Sequence, residues 1–243
     1  MGVLLASEVR RMFRSPRFVI FTVGLPLVYF LIFSGIYAQG AAADRAATIV
    51  ALMVMMAAFG AISASISVGG RVANERAIGW NRQLRLTPLP GWGYLAAKAA
   101  SAMIVVLPAL LLVFLVAALV KGVDLDAGTW LRVLLAAWLG VLPFTAVGLF
   151  IGMAATPDSA QSMSTVTMLL FSILGGVLIP VQVLPAAWVA VAEFLPSYWI
   201  VAQTMGQAFG TGVDAEGVLV ALGWLVVVGA LVAVRYRRDA LRV

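Results

Sequence analysis

Six stretches of this chain are apolar over 18 to 26 residues, and a helix needs about 20 such residues to cross the hydrocarbon core of a bilayer. They run from Val19 to Tyr37, Ala46 to Gly69, Leu95 to Val120, Trp130 to Ala154, Ala160 to Ile179 and Gly217 to Val234. A soluble fold is excluded by the rest of the composition. With 63% apolar and 11% charged residues and a mean hydropathy of +1.08, there is too little polar side chain to cover a water-facing surface. The expectation is an all-α polytopic membrane protein with six transmembrane helices, forming a single domain over residues 1–243.

The basic residues assign sides to those helices. With both termini placed in the cytoplasm, the inside carries Arg10, Arg11, Arg14, Arg17, Arg71, Arg76, Arg82, Arg85, Lys98, Arg235, Arg237, Arg238 and Arg242, and the outside carries Arg45, Lys121 and Arg132. Cytoplasmic loops are enriched in Lys and Arg, and an even number of spans returns the chain to its starting side, so the two criteria agree. The pI near 10.3 therefore reads as topology and not as a nucleic-acid surface, because the charges flank apolar spans instead of forming a basic domain.

Residues 1–17 combine a basic flank with an apolar face. Leu5, Val9, Met12, Phe13 and Pro16 fall on one side of a helix and Ser7, Arg10, Arg14 and Arg17 on the other, as in a helix lying along the inner membrane interface. A secretory signal would have a shorter apolar region than Val19 to Tyr37, which favours an uncleaved first span. Between residues 180 and 215 the chain stays apolar, yet Pro180, Pro185 and Pro196 cut it into pieces too short to span. An external re-entrant helical hairpin is expected there, with Trp188, Tyr198 and Trp199 at the interface.

The segment Glu75 to Pro90, ERAIGWNRQLRLTPLP, is a charged island between the second and third apolar stretches. Asn74 is placed to cap a helix starting at Glu75. Ala77, Trp80 and Leu84 then share one face, with Glu75, Arg82 and Arg85 toward another. Pro88 and Pro90 stop that helix and stiffen its connection to span three. The arginines here also serve topology, but a carboxylate at Glu75 does not, so a partner for it is expected outside the chain.

The amphipathic start, the charged island, the broken hairpin and six spans, in this order, resemble the membrane subunit of ABC-2-type transporters, particularly actinobacterial drug- and antibiotic-export permeases. The pieces that carry the resemblance most are ERAIGWNRQLRLTPLP and GGVLIPVQVLPAAWVAVAEFLPSYW. The resemblance implies an ATP-driven exporter for an amphipathic or hydrophobic small molecule such as a drug, antibiotic or lipid, in the bacterial cytoplasmic membrane. It also implies a dimer with a second permease copy or a related permease, and a separate ABC ATPase subunit that binds ATP and Mg. The chain itself is expected to carry no cofactor or metal, and no catalytic residue. Its two lysines, Lys98 and Lys121, do not follow glycine, so the P-loop pattern G-x-x-x-x-G-K-[ST] is absent. ATPase coupling then falls on Glu75, Arg76, Gly79, Trp80, Arg82, Gln83 and Arg85.

The resemblance further implies a pathway between spans two and five. Met53, Met56, Gly60, Ser63 and Ser67 share a face on one, and Thr165, Met168, Ser172 and Gly175 share a face on the other. Methionine adapts to varied apolar ligands and hydroxyls offer hydrogen bonds without an intramembrane charge. Small and hydroxyl residues equally suit plain helix packing, and both readings stand at this point. An ion-coupled carrier is the alternative function, opposed by the mapping of every acid to a loop or span end. A membrane-embedded hydrolase would have to work without Cys or His, and neither Lys98 nor Lys121 is expected deep in a span.

Overall fold

The structure is a computed structural model that describes residues 20–39, 41–79 and 93–241. Within these residues the chain is helical and has no strands. A π-helical turn, Ile20–Gly24, leads into α1, Leu25–Tyr37. Then follow α2, Ala42–Ile66, and α3, Val68–Ala77. After α4, Gly93–Lys121, come α5, Ala127–Leu139, and α6, Leu142–Ala154. The chain continues through α7, Pro157–Leu174, a 3-10 turn at Val181–Val183, α8, Ala186–Glu193, α9, Pro196–Phe209, and α10, Ala215–Leu241. The expected interfacial helix at 1–17 and most of the 75–90 segment lie outside the described residues.

Among the described residues, four helical stretches, Ala42–Ala77, Gly93–Lys121, Ala127–Ala154 and Ala215–Asp239, are long and apolar enough to cross a membrane, and Thr22–Tyr37 is a shorter apolar helix. The protein is an all-helical, multi-pass membrane protein. Its centre is α2, where Met53, Val54, Met56, Ala61, Ile62 and Ala64 are almost fully buried. Small side chains let neighbours come close. A Cβ at Gly60, for example, would stand 3.1 Å from Pro26 of α1.

The second span differs from the sequence expectation at its end. Hydropathy stops it near Gly69, but the helix pauses only at Ser67, whose hydroxyl donates back to the Ala64 carbonyl at 2.6 Å, and then runs on through α3 to Ala77. Asn74 is therefore no N-cap. It lies inside α3 and donates to the Gly70 carbonyl at 2.8 Å.

What holds α3 in the bundle is a glycine seam with α6. A Cβ at Gly69 would stand 2.7 Å from the Gly148 carbonyl oxygen, and one at Gly148 would stand 2.7 Å from that of Ser65. At Gly152 a Cβ would meet the Val72 Cβ at 2.6 Å and the Gly69 carbonyl at 2.7 Å. Gly148 and Gly152 are four residues apart, so both face the same neighbour, as small-xxx-small pairs do in membrane helices.

Between α7 and α10 the prolines set the breaks. Pro185 and Pro196 each precede or open a helix, giving α8 of 8 residues and α9 of 14. Neither reaches spanning length. Indole donors tie this region down: Trp199 Nε1 donates to the Glu193 carbonyl at 2.7 Å and Trp224 Nε1 to that of Phe194 at 2.8 Å. At Gly210, φ is +79°, a left-handed C-cap that ends α9 and turns the chain toward α10.

Candidate functional site

The 80–92 segment joins α3 to α4, and the structure shows how its two roots are held. Glu75, 7% exposed on the last turn of α3, accepts a hydrogen bond from Tyr94 Oη at 2.8 Å and one from Lys98 Nζ at 2.5 Å. Tyr94 and Lys98 are four residues apart on α4, so they project from one face toward the same carboxylate. Lys98 is 1% exposed, and its ammonium also sits 5.6 Å from the centre of the Tyr94 ring. Tyr94 stacks in turn on Tyr236 of α10. Charges this dry are tolerated because each oxygen of Glu75 has a donor.

The next residue makes the second tether, in another direction. Arg76 Nε donates to Asp239 of α10 at 2.9 Å and its Nη2 lies 2.6 Å from the same oxygen. Its Nη1 donates to the Gly152 carbonyl at 3.0 Å, at the foot of the glycine seam. Adjacent positions on α3 thus bind α4 on one side and α6 with α10 on the other. The root of the 80–92 segment is fastened to three helices. The Arg76–Asp239 pair is more exposed, at 24% and 28% for the two side chains, so water screens it more than the Glu75–Lys98 pair.

The sequence points Glu75 to a partner outside the chain, and the structure gives it two inside. Its partners lie within the chain, because the helix persists past Gly69 and turns the carboxylate toward α4 instead of releasing it into a loop. Lys98 is likewise a buried residue of α4, not a span-end charge that serves topology alone. Gly79 follows α3 with φ at +75°, a conformation suited to glycine as the chain leaves the helix. Trp80, Arg82, Gln83 and Arg85 lie outside the described residues.

The two candidate pathway stripes separate on burial. Met53 and Met56 are fully buried in the core, Gly60 packs on α1, Ser172 is fully buried, and Gly175 is pressed against Ser197 of α9. All five are covered by other parts of the chain. Ser63, Ser67 and Met168 are partly buried, and Thr165 is exposed with its hydroxyl donating to the Gln161 carbonyl at 3.0 Å. Around Thr165 the outer face of α7 presents Met163, Val166, Leu170 and Ile173.

The ABC-2 type transporter family model matches residues 1–209. The chain belongs to the ABC-2 type transporter family. It is also 30% identical over 193 residues, 79% of this chain and 78% of the relative, to "Putative transport permease YvfS" of Bacillus subtilis (strain 168). An ABC-2 permease is a transport subunit and not an enzyme, which accords with the lack of a P-loop lysine. The permease features that sequence reasoning passed over are Tyr94, Lys98 and Asp239 as partners, and the glycine seam. A lysine four residues after a tyrosine inside an apolar stretch, and GLFIG at 148–152, were the available signals.

Proposed function

We propose that this ABC-2 permease is the membrane-spanning subunit of an ATP-driven exporter that moves an amphipathic or hydrophobic small molecule, such as a drug, antibiotic or lipid, across the bacterial cytoplasmic membrane. ATP and Mg bind a separate ABC ATPase subunit, and a second permease copy or a related permease completes the membrane part. Both termini and residues 75–90 face the cytoplasm, residues 180–215 face outward, and α1 and α7 cross the membrane alongside the four longer helices. Trp80, Arg82, Gln83 and Arg85 meet the ATPase. The observation that supports this reading most is the pinning of both roots of the 80–92 segment by Glu75, Tyr94 and Lys98.

Mechanically, a segment rooted this way passes a displacement to α3 and α4 together. Arg76 extends the connection to α6 and α10. Glu75 is a positioning residue in this scheme, one step behind the contact with the ATPase. For the substrate, Ser63, Ser67, Thr165 and Met168 remain the side chains with access to a pathway between subunits.

The buried Glu75–Lys98 pair also gives the carrier reading a specific foothold, since ionisable groups held inside membrane bundles mark proton relays in many transporters. One preparation separates the two. Tagged chain purified from its host in mild detergent is expected to bring down an ABC ATPase and to hydrolyse ATP, and the chain stripped of that partner is expected to hydrolyse none. A chain that purifies without any ATPase, and whose transport in vesicles follows a proton gradient in the absence of ATP, would assign it to the carriers.

A further inference from the structure

At the end of the bundle away from the 80–92 segment, α5, α9 and α10 enclose a cavity of about 470 Å³. Its floor is formed by Pro143 and Leu225, and its mouth by Arg132, Gln207 and Val213. The levels follow from the packing: Gly140, the C-cap of α5, abuts Ile200 of α9, so Arg132 and Gln207, each two turns further out, lie together near the mouth. The walls are apolar, and Leu135, Leu139 and Leu222 are each 41–52% exposed.

Two features of this groove are not those of a plain lipid-facing crevice. Gln207 is only 9% exposed, and its Nε2 has no acceptor. A buried amide donor left unpaired costs free energy, and this one has less than 1 Å² of accessible surface. Its neighbour one turn back shows the contrast. Gln203 uses both ends of its amide on Asp214, donating to the carbonyl and accepting from the backbone N–H.

The second feature is the charge at the mouth. Arg132 is the one cation among the cavity-lining residues, and it donates to Thr129 at 2.6 Å. The acids Asp126, Asp214 and Glu216 stand close by, the last two flanking the lining residues Val213 and Gly217. A purely anionic headgroup would meet one attraction and three repulsions, whereas a phosphate joined to an ammonium would meet both signs. Length gives the same answer. From Arg132 to Leu142 is about 15 Å of helix rise, half of the roughly 30 Å hydrocarbon core, which is the reach of a single leaflet.

We infer that this groove seats one phosphatidylethanolamine-type lipid, with an acyl chain between α5 and α10, the phosphate at Arg132 and the ammonium toward Asp214 and Glu216. Native mass spectrometry of the detergent-purified chain, titrated with phosphatidylethanolamine, phosphatidylglycerol and phosphatidylcholine, tests it. One phosphatidylethanolamine is retained in preference to the other two. Ala221→Phe and Leu135→Trp, which fill the groove from opposite walls, abolish retention. Two filling variants keep the test open if one of them fails to fold. Retention that both filling variants leave unchanged, a preference for phosphatidylglycerol, the absence of any retained lipid, or a non-lipid molecule in the groove would each overturn the assignment.

Discussion

A carboxylate buried at the end of a membrane helix survives only with donors on its oxygens, and Glu75 has them from Tyr94 and Lys98. Removing one member of a buried ion pair strands the other, at a cost of about 3–5 kcal/mol. Glu75→Gln and Lys98→Met should therefore each lower the melting temperature of the detergent-purified chain sharply. The double variant should recover much of the loss, because no lone charge remains. Strictly additive losses would show that the two groups do not act as a pair. Arg76→Ala, by contrast, should cost only about 1 kcal/mol, since its pair with Asp239 is partly hydrated. At the far end, Asp126 caps α5, and the hydrogen bond from the Thr129 side chain holds its carboxyl below the ordinary aspartate range. A group with a depressed folded-state pKa stabilises above its unfolded value of about 3.9 and loses that contribution as pH falls through the folded value. Asp126→Ala should melt below the wild type at pH 7, and the gap should close on acidification below the usual aspartate range. A gap that stayed constant with pH would remove the carboxylate from the explanation.

Helix ends, more than helix interiors, separate what could be read from what could not. The apolar stretches marked where helices run, and the prolines near 180–196 marked where they break. The end of the second span was misjudged because Arg71, Asn74, Glu75 and Arg76 read as loop residues by polarity, while packing against α4 and α6 gives Glu75 and Arg76 partners that let the helix continue. Charge explained by topology hid charge used in pairing, as at Lys98. The glycine seam was visible as a four-residue spacing, but nothing in one helix tells which other helix it will meet. Gly152→Val should disrupt the α3–α6 contact, costing about 1–3 kcal/mol as overpacking does, because a Cβ there already stands 2.6 Å from that of Val72. Gly229→Ala, on α10 with nothing within 4 Å of an added Cβ, should be neutral or slightly stabilising. Thermal melts of both, run beside the wild type, check the pair. Equal effects would show that the seam is not a packing constraint.

Across the whole molecule, burial is uneven in a way that bears on topology. The most apolar window of Ala42–Ala77 is 83% buried within the chain, and that of Ala215–Asp239 is 17% buried. The chain leaves most of the surface of α10 uncovered, whereas it encloses α2 from Ile49 onward. On the proposed orientation, a cysteine placed at Gln83 in this cysteine-free sequence should react with an impermeant reagent only after the cells are opened. A cysteine at Val183, 70% exposed between α7 and α8, should react in intact cells. The reverse pattern would invert the assigned sides.

The Glu75–Lys98 pair has a consequence for how such a chain enters the membrane at all. Each residue belongs to a different helix, and either one delivered alone would carry an uncompensated ion to the edge of the hydrocarbon. Neutralised against each other, they would let α3 and α4 enter the membrane as a pair. The order of synthesis suits this, because Glu75 is made only 23 residues before Lys98 and waits briefly for its counter-ion. The same contact that would later transmit force would thus serve assembly first, satisfied only once α3 and α4 are both in place.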